Sequence, residues 1–328
     1  MINHAYGSLV GLAIGDAMGM PASFMTPKQI EERYGRITDF MMPHDEQKAH
    51  QQLKEGEVTD DTQECLIISS VLIEKGFFDE ETFIAKMREW AITHKMLDST
   101  VIGPSTRRFL ESIIEGRDYR IAGRMGDTNG GAMRVAPIGI FYHGELDQAI
   151  DNAILSALPS HGSKPGVAST AAIAGAIAMA MKENITPKEV MEAAVYAARK
   201  GEEAGYDIPA PSVADRIQWA MELVEQHNGK SVEEICYLLY RYIGAGMKSY
   251  ESIPFSLGVF YASYGRFEEG ILAAINIGDD ADTNGAIVGS LCGAFQGIDG
   301  IKKEWIEKIE AQNQLSLRKI AQLLIEKR

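Results

Sequence analysis

Residues 62–76 read TQECLIISSVLIEKG, and whether this stretch is strand or helix decides the fold. Its branched residues, Ile67, Ile68, Val71 and Ile73, favour strands, because two heavy atoms on Cβ restrict χ1 in a helix. Its length approaches about four helical turns, more than an ordinary strand needs. The ends tip the balance. Acids precede it at Asp60 and Asp61, and Lys75–Gly76 closes it with a cation and a residue suited to a helix stop. A helix is therefore expected from Thr62, with Thr59, Asp60 and Asp61 at its N-terminal turn.

Outward from this stretch, further helices are expected over 79–93, 105–115, 145–158, 168–183, 187–200, 211–228, 231–241, 267–276, 284–296 and 301–326. Pro187 and Pro211 fall near helix starts, where a missing backbone donor costs least. The opening AYGSLVGLAIGDAMG sets Leu9, Leu12 and Ile14 at helix-compatible positions among small residues, which predicts a tightly packed helix ending near Asp16. Residues 35–58 read as an irregular connection, unusually long unless it serves a site. The glycines of GLAIGDAMG, GDTNGGAM and GDDADTNG read as helix junctions and a backbone-lined pocket, and GYDIPAP at 205–211 as a break between two layers of helices. No strand–helix alternation and no repeat of stable period is present. The chain is expected to form a single all-α domain over 1–328.

The 46 acidic residues outnumber the 32 Lys and Arg, and the resulting charge of −14 argues against nucleic acid or an anionic membrane as partner. The apolar run 168–181 holds 14 residues, short of the roughly 20 that a bilayer-crossing helix needs. Cys65, Cys236 and Cys292 lie among apolar neighbours without metal-ligand spacing, and read as buried thiols in a reducing cytoplasm.

Two segments carry chemistry: GEVTDDT at 56–62 and GDDADTNG at 278–285. Taken singly each has a plain explanation, since Asp61 and Asp282 would cap the helices that follow them. Capping explains neither the second acid nor the threonine of each segment. Asp60, Asp61, Asp280 and Asp282, with Thr59 and Thr283, make an all-oxygen set that suits Mg2+, Mn2+ or Ca2+ better than Zn2+. Asp279 is left a supporting role and Thr62 the helix start. Two cations would orient vicinal hydroxyls of a substrate and lower the pKa of a water. Composition does not choose between one ion and two.

The ordered set GLAIGDAMGMP (11–21), GEVTDDTQ (56–63), NGGAMRVAPIG (129–139) and GDDADTNGAIVGSLCGAFQG (278–297) resembles the ADP-ribosylglycohydrolase family, the relatives of dinitrogenase-reductase-activating glycohydrolase. The resemblance spans roughly residues 5–297. It implies a compact orthogonal multi-helix bundle with two Mg2+ or Mn2+ ions in a central cleft. It also implies cleavage of a ribosyl N- or O-glycosidic bond in an ADP-ribosylated protein or an ADP-ribose derivative. Carried over residue by residue, the resemblance makes Thr59, Asp60, Asp61, Asp280, Asp282 and Thr283 the metal-binding set. It makes Asn129, Gly130, Gly131 and Met133 substrate contacts, with Arg134 bracing their loop. His161 resembles the family's histidine beside the ribose pocket, with Ser160 in place of the usual threonine. Ser23 is a departure, because many members carry a glutamate two residues after the proline.

A serine without an activating partner is a poor general base. Ser23 is therefore expected to contact substrate only, and a water held by Asp60 or Asp61 to be the nucleophile. Asp16 either orients that water or a ligand, or is a helix-end carboxylate held by local backbone donors. The expected activity is metal-dependent hydrolysis of a ribosyl bond. The alternatives are hydrolysis of a smaller, nucleoside-like compound and an inactive ADP-ribose-binding protein.

Overall fold

In the computed structural model, which describes residues 1–47 and 49–328, TQECLIISSVLIEKG is helical. The element runs Asp60–Lys75; Thr59 is its N-cap and accepts the Asp61 N–H at 3.3 Å, and Gly76 ends it in the left-handed conformation at φ 77°. Cys65, Ile68 and Leu72 recur at i, i+3 and i+7 on a buried face. Burial of one aliphatic side chain contributes roughly 1.5–3 kcal/mol, which outweighs the weak strand preference of the branched residues.

The N-terminal part of the chain folds as α1 (Ile2–Gly19), α2 (Pro27–Tyr34), α3 (Asp60–Lys75), α4 (Glu80–Thr93) and α5 (Pro104–Glu115). Three short helices follow, α6 (Tyr119–Gly123), α7 (Gly130–Met133) and α8 (Ala136–Phe141). Next come α9 (Leu146–His161), α10 (Lys164–Ala180), α11 (Pro187–Ala204), α12 (Val213–Gln226) and α13 (Val232–Tyr242). The last are α14 (Ser249–Ala262), α15 (Phe267–Ile275), α16 (Ala281–Gln296), α17 (Lys303–Asn313) and α18 (Leu317–Glu326). Among the described residues there is no β-strand, only isolated bridges such as Thr128 with Lys248. The chain is a compact all-α bundle, and one apolar cluster runs through it from α1 to α18.

Several expectations need correction. The segment expected as one helix over 301–326 is two, because Gln314 adopts φ 53° after α17 and turns the chain. No helix was expected over α14, which carries Pro254 in its interior. The first helix continues past Asp16 to Gly19. The glycines of GLAIGDAMG are not junctions but lie inside α1.

Those glycines face others. A Cβ added at Gly7, Gly11 or Gly15 would overlap the carbonyl oxygens of Gly293, Gly289 and Gly285, and the relation is reciprocal. Partners that fall by four as the other series rises by four mean antiparallel helices in backbone contact. Only glycine permits such an approach, and Cα–H···O contacts across it add to the packing. α1 and α16 are thus the buried central pair of the molecule. No single helix among the described residues is long and apolar enough to cross a membrane.

Candidate active site

The register of α1 against α16 brings the last turn of α1 beside the first turn of α16. The start of α3 joins them, through Asp16: its carboxylate accepts the Thr59 N–H at 3.0 Å and the Thr62 hydroxyl at 2.5 Å. The expected local backbone donors for Asp16 are therefore replaced by donors from α3. Ahead of α16 the chain is held by backbone pairing, with Phe24 N–H donating to Asp279 O at 2.5 Å and Asp279 N–H to Met25 O at 2.8 Å. Gly278 makes this possible: it adopts φ 78°, and a Cβ there would strike the Met25 carbonyl.

At this junction lies a cleft of about 50 Å³, lined by Asp60, Asp61, Asp280, Asp282 and Thr283. Asn129, Gly130 and Met133 line the same cleft. The two acid segments, distant in sequence, therefore meet. Their carboxylates are not used as caps: Thr59 caps α3, and Asp280 at the N-cap position of α16 makes no side-chain cap. Asp280 Oδ2 instead accepts from Asn129 Nδ2 at 2.5 Å, while Asn129 also donates to Ser252 Oγ at 2.9 Å.

Five buried acids in one place repel. Burial, then Glu64, Asp282 and Asp16, push Asp60 well above the ordinary aspartate range. Burial, then Asp16, Asp60, Asp282 and Asp280, do the same to Asp61. Burial raises Asp16 to about 6, and burial with Asp282 raises Asp280 to about 7. Asp282 alone goes the other way: burial works to raise it, but His50 beside it holds it below the ordinary range.

The remaining expected residues lie around this cleft without lining it. Thr59 lines a neighbouring cavity of about 460 Å³, which also touches His50 and Asp60. Gly131 is buried, and a Cβ there would press on Thr170 Oγ1. His161 is fully buried behind Gly130; its Nδ1 meets Ser160 Oγ at 2.8 Å and its Nε2 meets Thr128 Oγ1 at 3.2 Å. Burial, with Arg134 and Arg108 nearby, keeps its ring neutral, well below the usual histidine range. Ser23 Oγ accepts the Asp282 N–H at 3.3 Å, so it helps to cap the start of α16 rather than lining the cleft. Arg134 braces the site from beneath: its guanidinium pairs with Glu64 at 2.6 Å, both side chains fully buried, and donates to Ser160 Oγ at 2.7 Å.

Sequence reasoning missed His50 and Phe24, which also line the cleft. The length of the 35–58 connection was the one signal for His50. Nothing in the sequence marked Phe24, which adopts φ 64° and is 53% exposed.

A divalent cation fits the donor chemistry of this cleft. Asp61 Oδ2 and Asp282 Oδ1 are buried and have no hydrogen-bond partner among the described residues, a costly state for a carboxylate unless an ion or water satisfies it. The fit is one of chemistry: among the described residues no group of three or more His, Cys, Asp or Glu side chains is already arranged to hold a metal ion.

An all-α bundle whose buried helix starts converge on such an acid cleft is a defined class of protein. The sequence profile of the ADP-ribosylglycohydrolase family matches residues 1–328, and the chain belongs to that family. It is 30% identical over 304 residues to an uncharacterized protein of Archaeoglobus fulgidus, covering 92% of this chain and 90% of that one. It is 24% identical over 327 residues to the ADP-ribosyl-[dinitrogen reductase] glycohydrolase of Rhodospirillum rubrum, covering 98% and 96%. Among solved structures, an ADP-ribosylglycohydrolase-related protein complex shares the fold with a TM-score of 0.70 at 22% identity, over 99% of this chain and 98% of that one.

Proposed function

We propose that the protein is a divalent-cation-dependent hydrolase of a ribosyl N- or O-glycosidic bond in an ADP-ribosylated protein or an ADP-ribose derivative. The observation that carries this reading is the pair of orphaned carboxylate oxygens, Asp61 Oδ2 and Asp282 Oδ1, inside a buried five-acid cluster. Asp60, Asp61, Asp280 and Asp282, assisted by Thr59 and Thr283, would hold one or two Mg2+ or Mn2+ ions. When bound, such an ion supplies Lewis acidity toward ribose hydroxyls and lowers the pKa of a nearby water.

The chain's own residues do the rest. Asn129 orients the Asp280 carboxylate through its amide. Gly130 brings backbone close to the ligand, with no side chain in the way. Asp61 is the carboxylate assigned to position a water as it adds to the ribose C1; the bond from C1 to the leaving nitrogen or oxygen breaks, and the proton released by the water passes to that leaving atom. Asp16 acts as a positioning residue, through Thr59 and Thr62.

A smaller ribosyl substrate is the second reading, favoured by the cleft volume of about 50 Å³, far below the several hundred Å³ of pockets that enclose drug-sized ligands. The test is a screen in Mg2+ or Mn2+ against ADP-ribosylated protein, ADP-ribose derivatives and nucleosides, with released ADP-ribose or ribose detected by mass. Release from nucleosides alone selects the second reading. No release from any substrate, with ADP-ribose still bound, rejects the hydrolase assignment.

A further inference from the structure

We infer that His50 is a nitrogen ligand of the divalent cation, an imidazole donor joining an otherwise all-oxygen set. The inference rests on the cation-dependent reading above. His50 comes from the irregular 35–58 connection rather than from either acid segment. It lines the same cleft as Asp60 and Asp282 and is 2% exposed.

Its Nε2 stands 2.9 Å from Asp282 Oδ2. Even so, neither ring nitrogen has a hydrogen-bond partner among the described residues. The two atoms are close without being aligned as donor and acceptor. Two donors bound at adjacent positions of one octahedral cation, each at about 2.1 Å, lie about 3 Å apart and aim at the ion instead of at each other. A histidine supporting a carboxylate ligand from behind would be an aligned N–H···O donor. A cation would satisfy Nε2 and the Asp282 carboxylate together. Imidazole suits Mn2+ and the later first-row ions, whereas Mg2+ prefers oxygen. The site should therefore prefer Mn2+ to Mg2+ more strongly than six oxygen donors would.

Electron paramagnetic resonance of the Mn2+-loaded protein, grown with 15N-labelled histidine, reads the bond directly. The expected spectrum shows 15N coupling to Mn2+ that persists in His161→Gln and vanishes in His50→Gln. Calorimetric titration of His50→Gln should show Mn2+ affinity lowered about 10-fold or more, with a smaller loss for Mg2+. Tight Mn2+ binding without 15N coupling in the wild-type protein overturns the ligand assignment and leaves the cation reading standing. Coupling that vanishes in His161→Gln instead also overturns it. Absence of any Mn2+ or Mg2+ binding overturns the cation reading itself. Because the decisive spectrum is that of the wild-type protein, a poorly folded His50 variant does not obscure the result.

Discussion

Along most of the α1–α16 pair, Gly7, Gly11 and Gly15 meet Gly293, Gly289 and Gly285 with only main chain between them. At one end of the same pair stand Asp16, Asp280 and Asp282, buried acids that repel one another. The glycine stretch is held by shape: its contacts are short and intolerant of a single added carbon. The acid end is held against its own electrostatics, and Asp282 Oδ1 there has no hydrogen-bond partner among the described residues. Two helices thus support an unfavourable arrangement at one end by close packing over the rest of their length, as functional sites generally require of their scaffolds.

Glu64 breaks the comparison most severely, because among the described residues it is the one buried acid near the cleft with a full cationic partner. Glu64→Gln leaves the fully buried Arg134 without its charge partner, and should destabilise the protein by about 3–5 kcal/mol in chemical denaturation. A loss below about 1 kcal/mol would show that the pair is replaceable. Gly11→Ala tests the packed stretch alone, away from the acids. Helix propensity by itself would favour alanine by about 1 kcal/mol; the overlap with the Gly289 carbonyl should reverse this to a net loss of about 3 kcal/mol. Unchanged or increased stability would refute the close approach.

At the acid end the signs differ between function and stability. Asp61→Asn should lower kcat by about 100-fold, near 2.7 kcal/mol, yet raise the stability of the cation-free protein at pH 8, where the cluster is most charged. Stability falling along with activity would contradict the picture of mutual repulsion.

The pH dependence sharpens the same point. Burial raises Asp16 to about 6 and Asp280 to about 7, from the ordinary 3.8. In that window the cation-free folded protein retains protons that the unfolded chain has released. Its stability should therefore be greatest below pH 3.8 with respect to these groups, and decline as pH rises through 6 to 7. Saturating Mn2+ should cancel the decline, because cation binding displaces the protons. Thermal melts from pH 4.5 to 8, with and without Mn2+, read both limbs, and a cation-free Tm that climbs across this range would contradict the assignment.

Ser23→Ala should have the smallest effect. It removes a 3.3 Å acceptor from the Asp282 N–H, a loss of about 1 kcal/mol in stability, with kcat within about 10-fold of wild type. Abolished turnover in this variant would move the catalytic role from Asp61 to Ser23.

Most of the helices were legible because their ends carry local chemistry, as Thr59 and Gly76 do for α3. α14 was not, since a proline inside a buried helix is tolerated for tertiary reasons that no local signal records. The meeting of the two acid segments was readable from their shared composition and from the family resemblance. The place of Asp16 was not, because its donors come from Thr59 and Thr62 in another helix. His50 was illegible for a different reason: an irregular connection has no period, so the sequence does not tell which of its residues turns inward. The glycines were visible but misread, since a spacing of four marks a helix face without naming what faces it.

Backbone pairing of Phe24 and Met25 with Asp279 has an evolutionary corollary. Main-chain hydrogen bonds do not depend on the identity of the side chains that carry them. The exposed Phe24 ring, on the rim of the cleft, can therefore be exchanged for side chains that accept a φ of 64° while the Phe24 amide and the Met25 carbonyl go on holding Asp279, next to Asp280. Substrate preference in such a protein has room to drift at its rim over generations, and the acid chemistry beneath it is inherited intact.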